Sequence, residues 1–193
     1  MTAIVTNILS LLTIVGQVLI VIILFYLIFC NTHIQDHWIL KKLWQHGLLF
    51  SFIVALTSMV GSLFYSEIAK YDPCKLCWWQ RIFMYPQAFL LGIALWKKDA
   101  NIALYSIALS VMGAIIAGYH YLLQLNIVPA IPCSAMGYSV ACAKRFVLNY
   151  GYVTIPLMAF TAFILIALFS YASMRKRGEI KGLFEKLSAM INS

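Results

Sequence analysis

Two cysteine pairs carry the reactive chemistry of this sequence. The run Asp72-Pro73-Cys74-Lys75-Leu76-Cys77-Trp78-Trp79-Gln80-Arg81 contains a Cys-x-x-Cys, a spacing at which two sulfurs can close a disulfide. Placed at a helix N-terminus, such a pair has thiolates stabilised by the backbone dipole, so a lowered thiol pKa and high reactivity are expected. Arg81 follows Cys77 by four residues and shares its face on a helix, which brings a cation near the Cys77 sulfur or near whatever accepts its electrons. The second pair, Cys133 and Cys142, lies in a stretch whose Pro129, Pro132 and Gly137 predict a mobile loop. Thiol–disulfide exchange runs through a mixed disulfide, so two pairs on one side of a membrane can hand electrons from an external protein to an internal site. The fifth cysteine, Cys30, stands alone and is given no function.

Plainer readings exist for each of these residues. The Cys-x-x-Cys could be a static staple, but a staple needs no cation on its helical face. The four paired cysteines could be a zinc site, since four thiolates are a standard ligand set; nothing else in the loops favours a metal, and none is expected. Arg81 alone would read as an interfacial side chain that snorkels, and His120, an intramembrane histidine, as a group reaching for the interface. Trp78, Trp79, Tyr119 and Tyr121 read as an interfacial aromatic belt, and Glu67 and Asp72 as solvated loop. The sequence holds no paired carboxylates, Ser-His-Asp set or phosphate-cradling glycine loop, which leaves hydrolysis and phosphoryl transfer without support.

The elements that must position these residues are membrane spans. The 193 residues are 63% hydrophobic and 10% charged, with mean hydropathy +0.90, far from a soluble domain. Five stretches reach the ~20 residues needed to cross the hydrocarbon core, at about Ile4–Phe29, Leu48–Ser66, Cys77–Trp96, Ile102–Leu125 and Tyr152–Met174. The first is expected to be retained, because no basic residue precedes it and no small-residue cleavage site follows it. The net charge of +8 does not indicate nucleic acid, because its excess sits in short loops and the tail. With five crossings, Lys41, Lys42, Lys97, Lys98 and the basic residues of the tail share one side, nine in all against five on the other. The positive-inside bias makes that side cytoplasmic and puts both cysteine pairs outside, where disulfides persist. Residues 178–193 have the spacing of a helix lying on the inner leaflet.

The run Pro73-Cys74-x-Leu76-Cys77-Trp78-x-Gln80-Arg81, with Tyr85-Pro86 close behind, Tyr119-His120 and Gln124 in the next span and a cysteine pair in the following loop, resembles the DsbB/BdbC family of quinone-dependent disulfide oxidases. The resemblance covers roughly Gly47 to Met174. It implies an all-α integral membrane protein, a four-helix transmembrane bundle to which this chain adds one N-terminal transmembrane helix, five spans in all. The divisions are 1–46 for the added helix and its loop, 47–174 for the redox bundle, and 175–193 for a basic tail. It further implies that Cys74 and Cys77 are in redox contact with a quinone, ubiquinone or menaquinone, with Cys77 the partner of the ring and Arg81 and His120 helping to hold it. Cys133 and Cys142 match the pair that re-oxidises an extracytoplasmic thioredoxin-like thiol oxidase (DsbA/BdbD-like), with Cys133 forming the mixed disulfide. The protein implied is a multi-pass enzyme of the bacterial cell (inner) membrane that supports disulfide formation in exported proteins. The chain departs from the pattern in its first helix and in a second pair separated by only eight residues, as in BdbC-like members. The alternatives are an enzyme resembling vitamin K epoxide reductase, and a non-catalytic scaffold stapled by two disulfides.

Overall fold

The computed structural model describes residues 2–29, 46–97, 99, 101–128, 142 and 145–175. Cys30, Cys133, the first loop with Lys41 and Lys42, and the tail beyond Arg175 lie outside the described residues. Five long helices account for most of them: α1 (Thr2–Phe29), α2 (Gly47–Leu63, continued by a π-helical turn Phe64–Ile68), α3 (Lys75–Lys97), α4 (Ile102–Gln124) and α5 (Ile155–Arg175). Among the described residues the strand content is a single antiparallel bridge, Asn149 with Val153.

Apolar side chains gain little by leaving lipid for a protein interior, so helices in a bilayer associate through close packing of small residues and hydrogen bonds between helices. The sequence supplies both. The inward face of α4 is Ala103, Ser106, Ser110, Gly113, Ala114 and Ala117, a stripe three and four residues apart. A Cβ at Gly113 would collide with the Phe163 ring of α5, so the glycine sets how closely these helices approach. Helices α2, α3, α4 and α5 form a closed ring of neighbours, and α1 packs along α5 from outside it. The central core, with Ala55, Met84, Leu91, Ala117, Phe163 and Ile166, draws on all four ring helices.

Four helical segments, Thr2–Tyr26, Gly47–Ile68, Ile102–Gln124 and Ile155–Met174, are long and apolar enough to cross a membrane. The fold is therefore an all-helical, multi-pass membrane protein. α3 has the length, 23 residues or about 34 Å, but carries Gln80, Arg81 and Gln87. These polar groups are satisfied inside the bundle. Gln87 Oε1 accepts hydrogen bonds from Ser106 (3.1 Å) and Ser110 (2.9 Å) of α4, and its amide donates to the Phe83 carbonyl at 2.9 Å. Ser170 Oγ donates to Ser106 Oγ at 3.3 Å and lies 3.2 Å from Ser51 Oγ, which carries the polar girdle through α5 to α2.

α1 runs parallel to α5, with its N-terminal end at the same end of the bundle as Cys74. Gly16 brings it close to α5, since an added Cβ would lie 2.8 Å from Leu165 Cδ1. A polar clasp holds that end. Tyr150 and Gly151 take φ of 52° and 79°, a left-handed pair that turns the chain tightly between Asn149 and Val153. The turn presents Asn149 Nδ2 to Asn7 Oδ1 (2.9 Å) and Ser10 Oγ (3.0 Å), while the Tyr152 hydroxyl donates to Gln17 Oε1 at 3.0 Å.

Candidate functional site

Pro73 cannot donate a backbone hydrogen bond and stands just ahead of the start of α3. Cys74 directly precedes the helix, Cys77 falls in its first turn, and the Trp78 N–H donates to the Cys74 carbonyl at 3.1 Å. The two sulfurs face each other as thiols, Cys74 donating to Cys77 at 3.3 Å. Leu76 and Leu123 close over the pair, and Cys142 completes the same small apolar cluster.

His120, near the end of α4 and 1% exposed, ties these groups together. Gln80 Nε2 donates to His120 Nδ1 at 3.0 Å, which leaves the ring proton on Nε2. From there it is donated to the Cys142 carbonyl at 3.1 Å, with Cys74 Sγ at 3.7 Å. The histidine thus fixes the backbone of the second pair against the sulfur of the first.

The electrostatics differ from the simple helix-dipole expectation for Cys74. Its hydrogen bond to Cys77, reinforced by burial, pushes the Cys74 thiol up to about 12. The unpaired N–H groups at the start of a helix are strong donors, and here those of Lys75 and Leu76 are directed at Cys142. They do not overcome burial, the main cause, which raises the Cys142 thiol to about 11.

Below the sulfurs opens a cavity of about 470 Å³. Cys74, Cys77, Arg81 and His120 line its cysteine end, and the rest is mostly apolar wall, chiefly from α1, α2 and α5, with uncharged hydroxyl groups such as Thr13, Thr57 and Thr161. Arg81 is held in place by α2: its Nε donates to Ser62 Oγ at 2.9 Å and a terminal nitrogen to the Ser62 carbonyl at 3.1 Å. Its guanidinium also lies 5.4 Å from the Trp78 ring centre. The π-helical turn that follows Ser62, a feature frequent at functional sites, carries Tyr65. Tyr65 stacks on Tyr71, and Tyr71 on Phe146 with centroids 5.1 Å apart. All three aromatic residues line the cavity.

Cys74, Cys77, Arg81, His120 and Cys142 are therefore brought together, whereas Cys133 lies outside the described residues. Trp78 and Trp79 are more than half exposed and stand away from the cavity lining, as a belt would. Sequence reasoning missed Ser62, Gln80 and the Tyr65–Tyr71–Phe146 stack. A signal was present for Gln80 alone: an amide inside an apolar helix needs a partner, and a buried histidine is one. The site fits a flat, apolar ring with polar edges, since a mostly apolar cavity with a few convergent polar groups is the usual form of such a pocket. Ligand atoms of Cys74, Cys77 and His120 also lie within 4.8 Å of one another, a donor set that suits a soft divalent ion.

The family model "Disulfide bond formation protein DsbB" matches residues 44–174. A probable disulfide formation protein C of Halalkalibacterium halodurans is 41% identical over 138 residues, covering 72% of this chain and all of that protein. Disulfide bond formation protein C of Bacillus subtilis is 43% identical over 123 residues, covering 62% of this chain and 86% of that protein. No solved structure matches the chain. With four helices able to cross a membrane and a family match over most of its length, the chain belongs to the DsbB family of disulfide bond formation proteins, membrane-embedded oxidoreductases.

Proposed function

We propose that this protein re-oxidises an extracytoplasmic thioredoxin-like thiol oxidase and passes the electrons to a membrane quinone. The observation that carries the reading is the packing of Cys142 against Cys74 in one cluster, with Cys74, Cys77 and Arg81 lining the end of one largely apolar cavity. In this reading α3 is a fifth span, residues 47–174 are the redox unit, and both cysteine pairs face the outside of a bacterial cell membrane.

The exchange steps follow from the order of the sulfurs. A donor thiolate attacks Cys133 of an oxidised Cys133–Cys142 pair, forming a mixed disulfide and releasing the Cys142 thiolate. Cys142, held beside Cys74 by His120 and by the α3 N–H groups, attacks the Cys74 sulfur of a Cys74–Cys77 disulfide, and the Cys77 thiolate leaves. The donor's second thiolate attacks its own sulfur in the mixed disulfide, releasing the Cys133 thiolate. Cys133 then takes back Cys142, leaving Cys74 and Cys77 reduced. Each step exchanges one S–S bond for another. A quinone bound in the cavity supplies the acceptor for two electrons and two protons as the Cys74–Cys77 disulfide reforms. Arg81, fixed by Ser62, stabilises negative charge on Cys77 and at the cavity end. Gln80 keeps the His120 proton on Nε2.

The test is anaerobic turnover in detergent with a reduced thioredoxin-like oxidase and a soluble quinone analogue. Wild type reduces the quinone, and Cys77→Ser abolishes the reaction while retaining the mixed disulfide at Cys133. Thiol-inert cysteines and no turnover in wild type would support a stapled scaffold or a bound metal instead.

A further inference from the structure

The role of α1 is open, because it lies outside the matched family region of residues 44–174. Its placement is specific. It packs along α5, and its Leu9 side chain reaches α2 near the cysteine end, 3.2 Å from where a Gly61 Cβ would stand. Toward the other end, Ile23 joins Leu165 and Phe169 in a cluster on which Leu19, Ile20, Phe50 and Val54 pack. Between these two closures the cavity separates α1 from α2, walled on the α1 side by Leu9, Leu12, Thr13, Val15, Gly16 and Leu19. On α2 and its π-helical turn the lining runs from Phe50 to Ser66, sixteen helical steps or about 24 Å. Only its cysteine end carries charged or redox groups. The remainder is far deeper than a ring requires, uncharged, and continuous with the ring's end.

We propose that α1 is the outer wall of a channel for the polyprenyl tail of the quinone, converting an open groove between α2 and α5 into a deep, half-covered one. This rests on the quinone reading above. The ring sits at Cys77 and Arg81, and the tail descends between Leu12, Val15 and Leu19 of α1 and the facing walls of α2 and α5. Tail contact is apolar and proportional to the area buried, so α1 makes the site favour a long-tailed quinone over a tail-less one. The polar clasp of Asn7, Ser10 and Gln17 on the Asn149–Val153 turn and Tyr152 keeps the wall in register without placing a polar group in the channel.

Thr13 lines the channel and spends its hydroxyl on the Leu9 carbonyl of its own helix at 2.8 Å, so Thr13→Phe narrows the channel without removing a hydrogen bond between helices. In nanodiscs, the ratio of kcat/KM for a long polyprenyl quinone to that for its tail-less analogue is expected to fall about tenfold in Thr13→Phe, the effect of losing roughly two methylenes' worth of buried contact. A folded variant with an unchanged ratio overturns the proposal. A second measurement needs no variant: a quinone with a photoreactive diazirine at the tail end is expected to label α1 between Leu9 and Leu19 in the wild-type protein. Label found only on α3 and α4, or a co-purified phospholipid chain in the channel that quinone does not displace, overturns the channel while leaving quinone reduction standing. Failure of wild type to reduce either quinone removes the underlying reading and the channel with it.

Discussion

Cys74 and Cys142 are thiols whose pKa values burial raises from 9.0, to about 12 and about 11 respectively, the Cys74 shift led by its hydrogen bond to Cys77. The unfolded chain releases these protons near pH 9, whereas the folded protein retains them. The stability they contribute is therefore complete below about pH 9 and is lost as pH rises toward 11 for Cys142 and 12 for Cys74. The reduced protein should show a falling Tm from about pH 9 upward, and Cys74→Ala/Cys142→Ala a shallower fall over the same range. Parallel slopes in a thermal melt series would contradict the assignment. The same protonation has a chemical meaning: only the thiolate attacks, so Cys142 depends on its contacts with the start of α3 and on its nearness to Cys74 rather than on being ionised at rest.

Helix approach at the scale of elements is set by side-chain size and by polar ties rather than by apolar burial. Gly113 and Gly118 are both on α4, but a Cβ at Gly113 would collide with the Phe163 ring, while one at Gly118 would stand 3.4 Å from Phe160 in ordinary contact. Gly113→Ala should cost about 1–3 kcal/mol, the range for forcing extra volume into a packed core, and Gly118→Ala much less. Comparing the two by denaturation in detergent decides it, and equal costs would mean that the close α4–α5 approach does not govern stability. The Gln87 girdle is the complementary device. Hydrogen bonds between membrane helices contribute about 0.6 kcal/mol on average, so the ties through Ser106, Ser110 and Ser170 specify which faces meet more than they add strength.

The whole molecule has a distinct polarity. The N-terminal end of α1, the Cys74–Cys77 turn, the end of α4 and the start of α5 gather at one end, and the start of α2, the α3–α4 turn and the end of α5 at the other. Lys97 and Arg175 close described helices at the second end, the end that the proposed orientation takes as cytoplasmic from the positive-inside bias of the sequence. Alkaline phosphatase fused after Ile127 is therefore expected to be active and fused after Asp99 inactive, the enzyme needing an oxidising compartment for its disulfides. The reverse pattern would invert the molecule and remove the access of an exported thiol donor to the cysteines.

Periodicity and composition by themselves determined the helices, because the bilayer allows few alternatives: both ends of each expected stretch lie within three residues of an observed helix end, α2 running two residues past Ser66 through its π-helical turn to Ile68. The Cys-x-x-Cys at the head of α3 and the shared face of Cys77 and Arg81 were also legible, since both follow from local spacing. What the sequence could not provide were relations between helices. That Ser62 holds Arg81, that Gln80 sets the His120 proton, that Cys142 rather than Cys74 receives the N–H groups of α3, and that Tyr65, Tyr71 and Phe146 stack at the cavity all join residues distant along the chain. Lipid exerts no preference among apolar faces, so hydropathy is silent about which helix meets which. Close contacts such as Gly113 with Phe163 and Gly16 with Leu165 decide that, and only the tertiary structure brings them into being.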